Sequence, residues 1–232
     1  VSAGTVILWR HGRTAYNAEA RLQGQIDIPL DDVGTWQVEQ AALDLWRRQS
    51  PTRIVASTLG RAVATAQRLA DLVGLEVEQD ARLCERGFGE WEGLSADEIA
   101  GRWPEEFAVW QRGGDPRRTG AETRAEVARR VAEAVRDLAA PLDRSDTLVL
   151  VSHGAAISLG LTALLGLDPV GWRGLVGLHN AHWSVLRASR GDAVPAWRLE
   201  SHNVGPSVSV ADWDAGVPAE SMPSSTADAM RP

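Results

Sequence analysis

The sequence predicts an α/β fold with a mostly parallel core sheet covered by helices on both faces. Three observations carry this prediction. Short β-branched runs alternate with longer stretches of helical periodicity, the pattern of a chain built from strand–helix repeats. The runs TVILW at 5–9 and TLVLV at 147–151 are almost wholly apolar, as strands buried on both faces must be. Three of the runs end not in plain turn chemistry but in Arg, His, Ser and Gly, residues suited to a ligand-binding edge at the carboxyl ends of strands.

Taken in order, Thr5–Trp9 is the first strand. Residues 34–48 carry Trp36, Val38, Ala42, Leu45 and Trp46 on one helical stripe, and Pro51 stops the helix. Arg53–Ser57 reads as the second strand. Gly60–Val73 reads as a helix with Val63, Ala66, Leu69, Ala70 and Val73 turned inward. Leu75–Glu78 is a short strand. Ser95–Arg102 and Pro104–Trp110 are two short helices, the first opened by a capping serine and the second by proline at its first position. A polar loop spans 113–120, and Glu122–Ala140 is the longest helical pattern. Thr147–Val151 is a buried strand, Ala155–Leu165 an apolar helix, and His182–Ala188 and Ala196–Glu200 are late strands. From Gly205 onward Ser, Pro, Ala and acids dominate without periodicity. The expected organisation is therefore one domain over 1–204 and a flexible tail over 205–232, with Val208, Val210 and Trp213 as residues able to dock.

Composition narrows the function. A chain of 232 residues with 44% hydrophobic content suffices for one α/β domain with a large core. No apolar run is long enough to span a membrane, and no secretory leader is visible. The single cysteine, Cys84, cannot form an internal disulfide, which points to the cytoplasm; it is read as a packing residue, since no base lies near it. The formal charge of −7 argues against a nucleic-acid partner. All 24 basic residues are arginine. An anion site here must be built from Arg, His and backbone N–H groups, and a Walker-type nucleotide loop, which needs lysine, is excluded.

The ends of the strands hold the candidate site. The first strand runs into Arg10-His11-Gly12, the second into Ser57-Thr58-Leu59-Gly60-Arg61, and the strand at 147–151 into Ser152-His153-Gly154. In a parallel sheet these ends share one edge. Glu85, in the Gly- and Trp-rich stretch CERGFGEWEG, can fold over it. Paired arginines suit an oxyanion with several acceptors, above all phosphate. One histidine can attack phosphorus, a second can stabilise charge on its oxygens, and a carboxyl group can protonate a leaving oxygen. The set suffices for phosphoryl transfer with neither metal nor cofactor. Paired histidines also suit a metal, but no Cys or carboxylate stands at ligand spacing around them, and His179 and His182, three apart, flank a loop and a strand start.

The segments RHGRTAYN, RLQGQIDIPLDDVG, Ser57–Ala62, ERGFGEWEG and VSHGAAI resemble, in order, those of the histidine phosphatase superfamily in its phosphoglycerate mutase-like branch. The resemblance implies a three-layer α/β/α fold around a mixed sheet of about six strands, often dimeric. It implies His11 as the phosphorylated nucleophile, Arg10, Arg61 and His153 as the phosphate pocket, and Glu85 as general acid and then base. It implies Asn17 as a phosphate or substrate contact, Arg21 and Gln23 as pocket wall, and Gly154 as a backbone donor. Arg13 stands where the family usually has Glu or Gln; it is either a surface residue or an added attraction for an acidic substrate. Glu122, in a GAET segment similar to a Gly-Glu-Ser element of relatives, either orients substrate or simply begins a helix.

Two branches of the family differ at Glu85. Mutases carry an ERHYG-like segment and a longer, proline-bearing insert, whereas ERGFGEWEGLS resembles the phosphatases. The late segments LHNAHWSVL and ESHNVG resemble those of actinobacterial glucosyl-3-phosphoglycerate phosphatases. The expected activity is hydrolysis of a small phosphorylated metabolite, with a sugar- or glycerate-type phosphate foremost. A primed mutase and a broad-specificity phosphatase are alternatives, and a non-catalytic binding module is disfavoured because all five reactive positions are filled.

Overall fold

The computed structural model describes residues 2–216. Its six strands are β1 (Thr5–Arg10), β2 (Arg53–Ala56), β3 (Val77–Gln79), β4 (Thr147–Ser152), β5 (Trp183–Ala188) and β6 (Trp197–Val204). They form one sheet in the order β3-β2-β4-β1-β5-β6. β1, β2, β3 and β4 run parallel. β5 and β6 are antiparallel to their neighbours; the short link between them allows a hairpin but no crossover. The mixed, mostly parallel sheet of the expected class is thus observed.

Eight helices surround it: α1 (Ala15–Ala18), α2 (Asp32–Arg48), α3 (Gly60–Val73), α4 (Ala96–Arg102), α5 (Pro104–Gln111), α6 (Arg124–Ala139), α7 (Gly154–Leu164) and α8 (Val210–Ala215). The two faces of each core strand bury into different layers. Ile7, Trp9, Ile54, Val149 and Val151 pack with Val38, Leu45, Ala66 and Leu69 of α2 and α3. Val6, Leu8, Val55, Leu148 and Leu150 pack with Val127, Val131, Ile157 and Leu161 of α6 and α7. This alternation explains why β1 and β4 are apolar on every residue but their ends. A third, smaller core of Phe88, Trp91 and Ile99 carries α4 and α5 beside the sheet edge. No helix among the described residues is long and apolar enough to cross a membrane.

Boundaries moved by at most four residues from the sequence reading, most at the end of β6, and α3 not at all. α1 and α8 were not foreseen as helices. α1 is four residues long and stands on a capping box between Thr14 and Asn17. α8 is capped by Ser209. Of the three residues considered able to dock, Trp213 is buried at 2% exposure while Val208 and Val210 remain exposed. Within the tail expected from 205, Val210–Ala215 forms α8 and docks through Trp213; residues 217–232 lie outside the described residues.

Candidate active site

The parallel register brings three strand ends side by side. Arg10 of β1 lies opposite Ser152 of β4, and Ala56 of β2 lies opposite Val151. Each end continues directly into a reactive residue. His11 follows β1 and its N–H donates to Ser152 O at 3.1 Å. His153 follows β4 and serves as the N-cap residue of α7. Arg61 sits in the first turn of α3, just beyond β2. The His11 and His153 rings lie 5.1 Å apart, centroid to centroid. A cavity of about 240 Å³ opens on this edge and is lined by Arg10, His11, Arg61, Glu85 and Gly154, among others.

Local packing sets His11 in a defined state. Its Nδ1 lies 2.7 Å from Gly12 O. A carbonyl only accepts, so Nδ1 carries the hydrogen and Nε2 keeps a free lone pair. Burial, reinforced by the charges of Arg61 and Arg10, holds the ring's pKa well below the ordinary histidine value. His11 is thus a neutral base at neutral pH. The turn that places it requires glycine: a Cβ on Gly12 would lie 2.4 Å from Gly34 O, and one on Gly34 would lie 1.9 Å from Arg13 O. The loop after β1 is pressed backbone to backbone against α2.

His153 is held the other way round. Its Nε2 lies 2.8 Å from Ser57 Oγ, and its Nδ1 is buried with no partner among the described residues. Burial, with the nearby His11, Arg61 and Arg10, lowers its pKa well below the ordinary value too. Arg10 Nε is a second buried nitrogen without a partner among the described residues. One Arg10 Nη hydrogen is taken by Leu178 O. An unsatisfied buried polar group costs on the order of 1–3 kcal/mol, so two of them at one edge mark a place where a ligand completes the hydrogen bonding.

Arg61 is 1% exposed and gripped by the 23–26 loop. Its Nη atoms donate to Ile26 O at 2.8 Å and Gly24 O at 2.7 Å. Gln23, with its amide nitrogen toward Thr14 Oγ1, accepts from Arg61 at 3.0 and 3.2 Å. Glu85 faces the N-terminus of α7. Its carboxylate accepts from the N–H groups of Arg86 at 2.8 Å, Ala156 at 3.0 Å and Ala155 at 3.2 Å. The edge therefore gathers a neutral imidazole with a free Nε2, two guanidinium groups, a second imidazole and an oriented carboxylate. Among the described residues no three or more His, Cys, Asp and Glu side chains group as a metal site, and the pocket's own charge is cationic.

Residues 6–204 match the family model described as histidine phosphatase superfamily (branch 1). The chain belongs to the histidine phosphatase superfamily. Among its members, a glucosyl-3-phosphoglycerate phosphatase of Mycolicibacterium vanbaalenii is 38% identical over 218 residues, which is 88% of this chain and 96% of the relative. The solved structure of a mycobacterial glucosyl-3-phosphoglycerate phosphatase with VO3 superposes with a TM-score of 0.77 at 36% identity, covering 88% of this chain and all of that one. A phosphoserine phosphatase from Entamoeba histolytica, in complex with 3-phosphoglyceric acid, superposes at 0.75 with 28% identity, covering 87% of this chain and 98% of that one.

Within this histidine phosphatase fold, His11, Arg10, Arg61, Glu85 and Gly154 line one pocket together with Asn17, Arg21 and Gln23, while His153 is fully buried beside His11, its ring 5.1 Å away. Four residues are engaged in more specific ways than the sequence indicates. Gln23 lines the pocket, but its amide is committed to Thr14 and Arg61, so it fixes a cation rather than presenting a free contact. The Arg21 guanidinium is held by Glu19 and Glu98, both at 2.9 Å, and by Gly93 O. Arg13 lies outside this pocket: it pairs with Asp31 at 2.8 Å and donates to Asp214 O at 2.6 Å. Glu122 is occupied by Arg130 and by the Gly87 N–H, which leaves it as a clamp on the Glu85 loop.

Three further residues had no role assigned from the sequence. Ser57 bears on His153. Asn180 donates to His11 O at 3.2 Å and to Asn17 Oδ1 at 3.1 Å. Arg130 spends all five donors on Arg82 O, Cys84 O, Glu85 O and the Glu122 carboxylate, which fixes the strand of backbone that carries Glu85. A serine ending a strand was a visible signal; Asn180 acts across 163 or more residues and Arg130 mostly on backbone carbonyls 45 to 48 residues away, and neither leaves a local pattern.

Proposed function

We propose that the chain is a metal-independent phosphomonoester hydrolase that works through a phosphohistidine on His11. The observation that carries this reading is the pair of buried, unpartnered nitrogens, Arg10 Nε and His153 Nδ1, beside a histidine whose Nε2 is free. The phosphoryl group occupies the gap between them. His11 Nε2 attacks phosphorus and the P–O ester bond breaks, while Glu85 gives its proton to the departing oxygen. Arg10, Arg61 and His153 balance the charge on the non-bridging oxygens, and Gly12 O steadies the positive charge on the phosphorylated ring. Water then attacks the P–N bond, Glu85 takes the water's proton, and inorganic phosphate leaves a neutral His11. Asn17 and Gly154 complete the seat as polar contacts, and Arg21 bounds it.

The substrate we favour is a glycosylated phosphoglycerate, as the names of the mycobacterial relatives suggest. Buried, unpaired Cys84 accords with a cytoplasmic setting, and a homodimer is the family's common state; light scattering reads the latter directly. The test of function is phosphate release in EDTA from glucosyl-3-phosphoglycerate, 3-phosphoglycerate, α-ribazole phosphate and p-nitrophenyl phosphate. Release without a bisphosphate primer, greatest for the glucosylated ester, is the expected result. Isomerisation of 3-phosphoglycerate that depends on a bisphosphate primer, without release, would make the chain a mutase instead.

A further inference from the structure

At about 240 Å³ the phosphate pocket is smaller than the sites that hold small organic ligands, typically about 300–1,000 Å³. A bulky leaving group must extend past its rim, and two hollows share that rim. One, of about 230 Å³, is walled by Tyr16, Leu22, Leu94, Ile99 and Trp110. Its cation, Arg21, is already held by two carboxylates. That hollow suits an alkyl or aryl group. The other, of about 410 Å³, shares Arg10, Asn17 and Leu178 with the phosphate pocket and adds Arg13, His179, Asn180 and Asp214.

We propose that this polar chamber seats the hydroxyl-bearing part of the leaving group, a sugar or polyol, and that α8 supplies its selective wall. The inference rests on the phosphatase reading and adds to it where the substrate lies. A hydroxyl both donates and accepts, so a polyol needs a lining of mixed sense. The chamber has one. Asn17 Oδ1 and Asn180 Nδ2 bond each other, which turns an amide nitrogen of Asn17 and an amide oxygen of Asn180 outward from that pair. Asp214 adds a carboxylate and His179 an imidazole. Arg13 is neutralised by Asp31 at 2.8 Å, so the wall offers hydrogen bonds more than bare charge.

The wall is also held in place. Trp213 Nε1 donates to Asn180 O at 2.9 Å, and Gln37 Nε2 donates to Trp213 O at 2.8 Å. Gln37 Oε1 in turn accepts from the Arg13 N–H at 3.0 Å, and Arg13 Nη1 donates to Asp214 O. This arginine, the departure from the family's usual residue, thereby fastens α8 to the loop after the nucleophile. α8 lies beyond residues 6–204, the span that the family model matches. The matched span carries the phosphate seat and most of the chamber, and α8 closes the chamber with Asp214.

The test compares kcat/KM for glucosyl-3-phosphoglycerate and for p-nitrophenyl phosphate in wild type, Asp214→Ala and Ala18→Trp. Ala18 lines the chamber from α1 and is absent from the lining of the phosphate pocket. The ratio of the glucosylated to the nitrophenyl ester should fall about fivefold in Asp214→Ala, the scale of one hydrogen bond, and at least about tenfold in Ala18→Trp, which fills the space. The loss should appear mainly in KM. A ratio unchanged in both variants, with nitrophenyl phosphate still turned over, overturns the chamber and leaves the phosphatase standing. A wild type that hydrolyses neither ester overturns both.

Discussion

The dipeptide His-Gly occurs at two strand ends on one edge of the sheet, and the two copies are wired in opposite senses. His11 gives its Nδ1 hydrogen to a backbone carbonyl and keeps Nε2 open. His153 engages a serine hydroxyl through Nε2 and keeps Nδ1 open. Gly12 is jammed against α2, whereas a Cβ on Gly154 would lie 3.6 Å from Arg10 Cζ, an ordinary contact. The sequence pattern is the same; the hydrogen-bond partner decides which nitrogen faces the ligand. A rigid carbonyl fixes a nucleophile in one tautomer. A hydroxyl, which can donate or accept, leaves the second ring able to take a proton when an anion arrives.

The largest test of this contrast is His11→Ala. Loss of the attacking nitrogen should lower kcat by at least about 10³-fold, measured as phosphate release from p-nitrophenyl phosphate. A variant retaining a tenth of its activity would mean that His11 is not the phosphoryl acceptor.

Ser57→Ala probes the other wiring. It removes the partner of His153 Nε2 without touching His11. We expect about a tenfold loss in kcat/KM and a similar loss in affinity for inorganic phosphate as a competitive inhibitor, the scale of one buried hydrogen bond. Unaltered phosphate affinity would show that His153 keeps its orientation without the serine.

The smallest expected effect concerns stability. Both rings have pKa values well below the ordinary histidine value of 6.5, with burial the first cause. Below about pH 6.5 the unfolded chain therefore binds protons that the folded chain refuses, and stability falls as pH falls. The melting temperature should drop by about 3 °C or more between pH 7.5 and 5.5. His153→Gln should recover part of that drop. An equal drop in the variant would assign it to other groups.

Much of the catalytic edge was legible because it is written locally. Each reactive residue directly follows a strand or opens a helix, so strand recognition and the rule for parallel sheets are enough to bring Arg10, His11, Arg61 and His153 together. Glu85 was legible only through its Gly- and Trp-rich setting and the family resemblance. What stayed hidden is what acts at long range. Arg130 clamps backbone carbonyls 45 to 48 residues away. Trp213 reaches Asn180, and Arg13 reaches Asp214 across 201 residues. α8 was hidden for a further reason: only six residues long, it depends on one buried tryptophan rather than on a periodic apolar face.

The strand order has a consequence for how the molecule is made. β1 leaves the ribosome first, yet its neighbours in the sheet are β4 and β5, whose residues come after position 146. Until β4 is made, this largely apolar strand has both edges open. The nascent chain must shelter β1 against α2 or a chaperone until β4 arrives, and the nucleophile at its end cannot meet His153 before then. Production of this protein should accordingly be limited by protection of β1 during translation, and co-expressed chaperones that bind exposed apolar strands should raise its soluble yield.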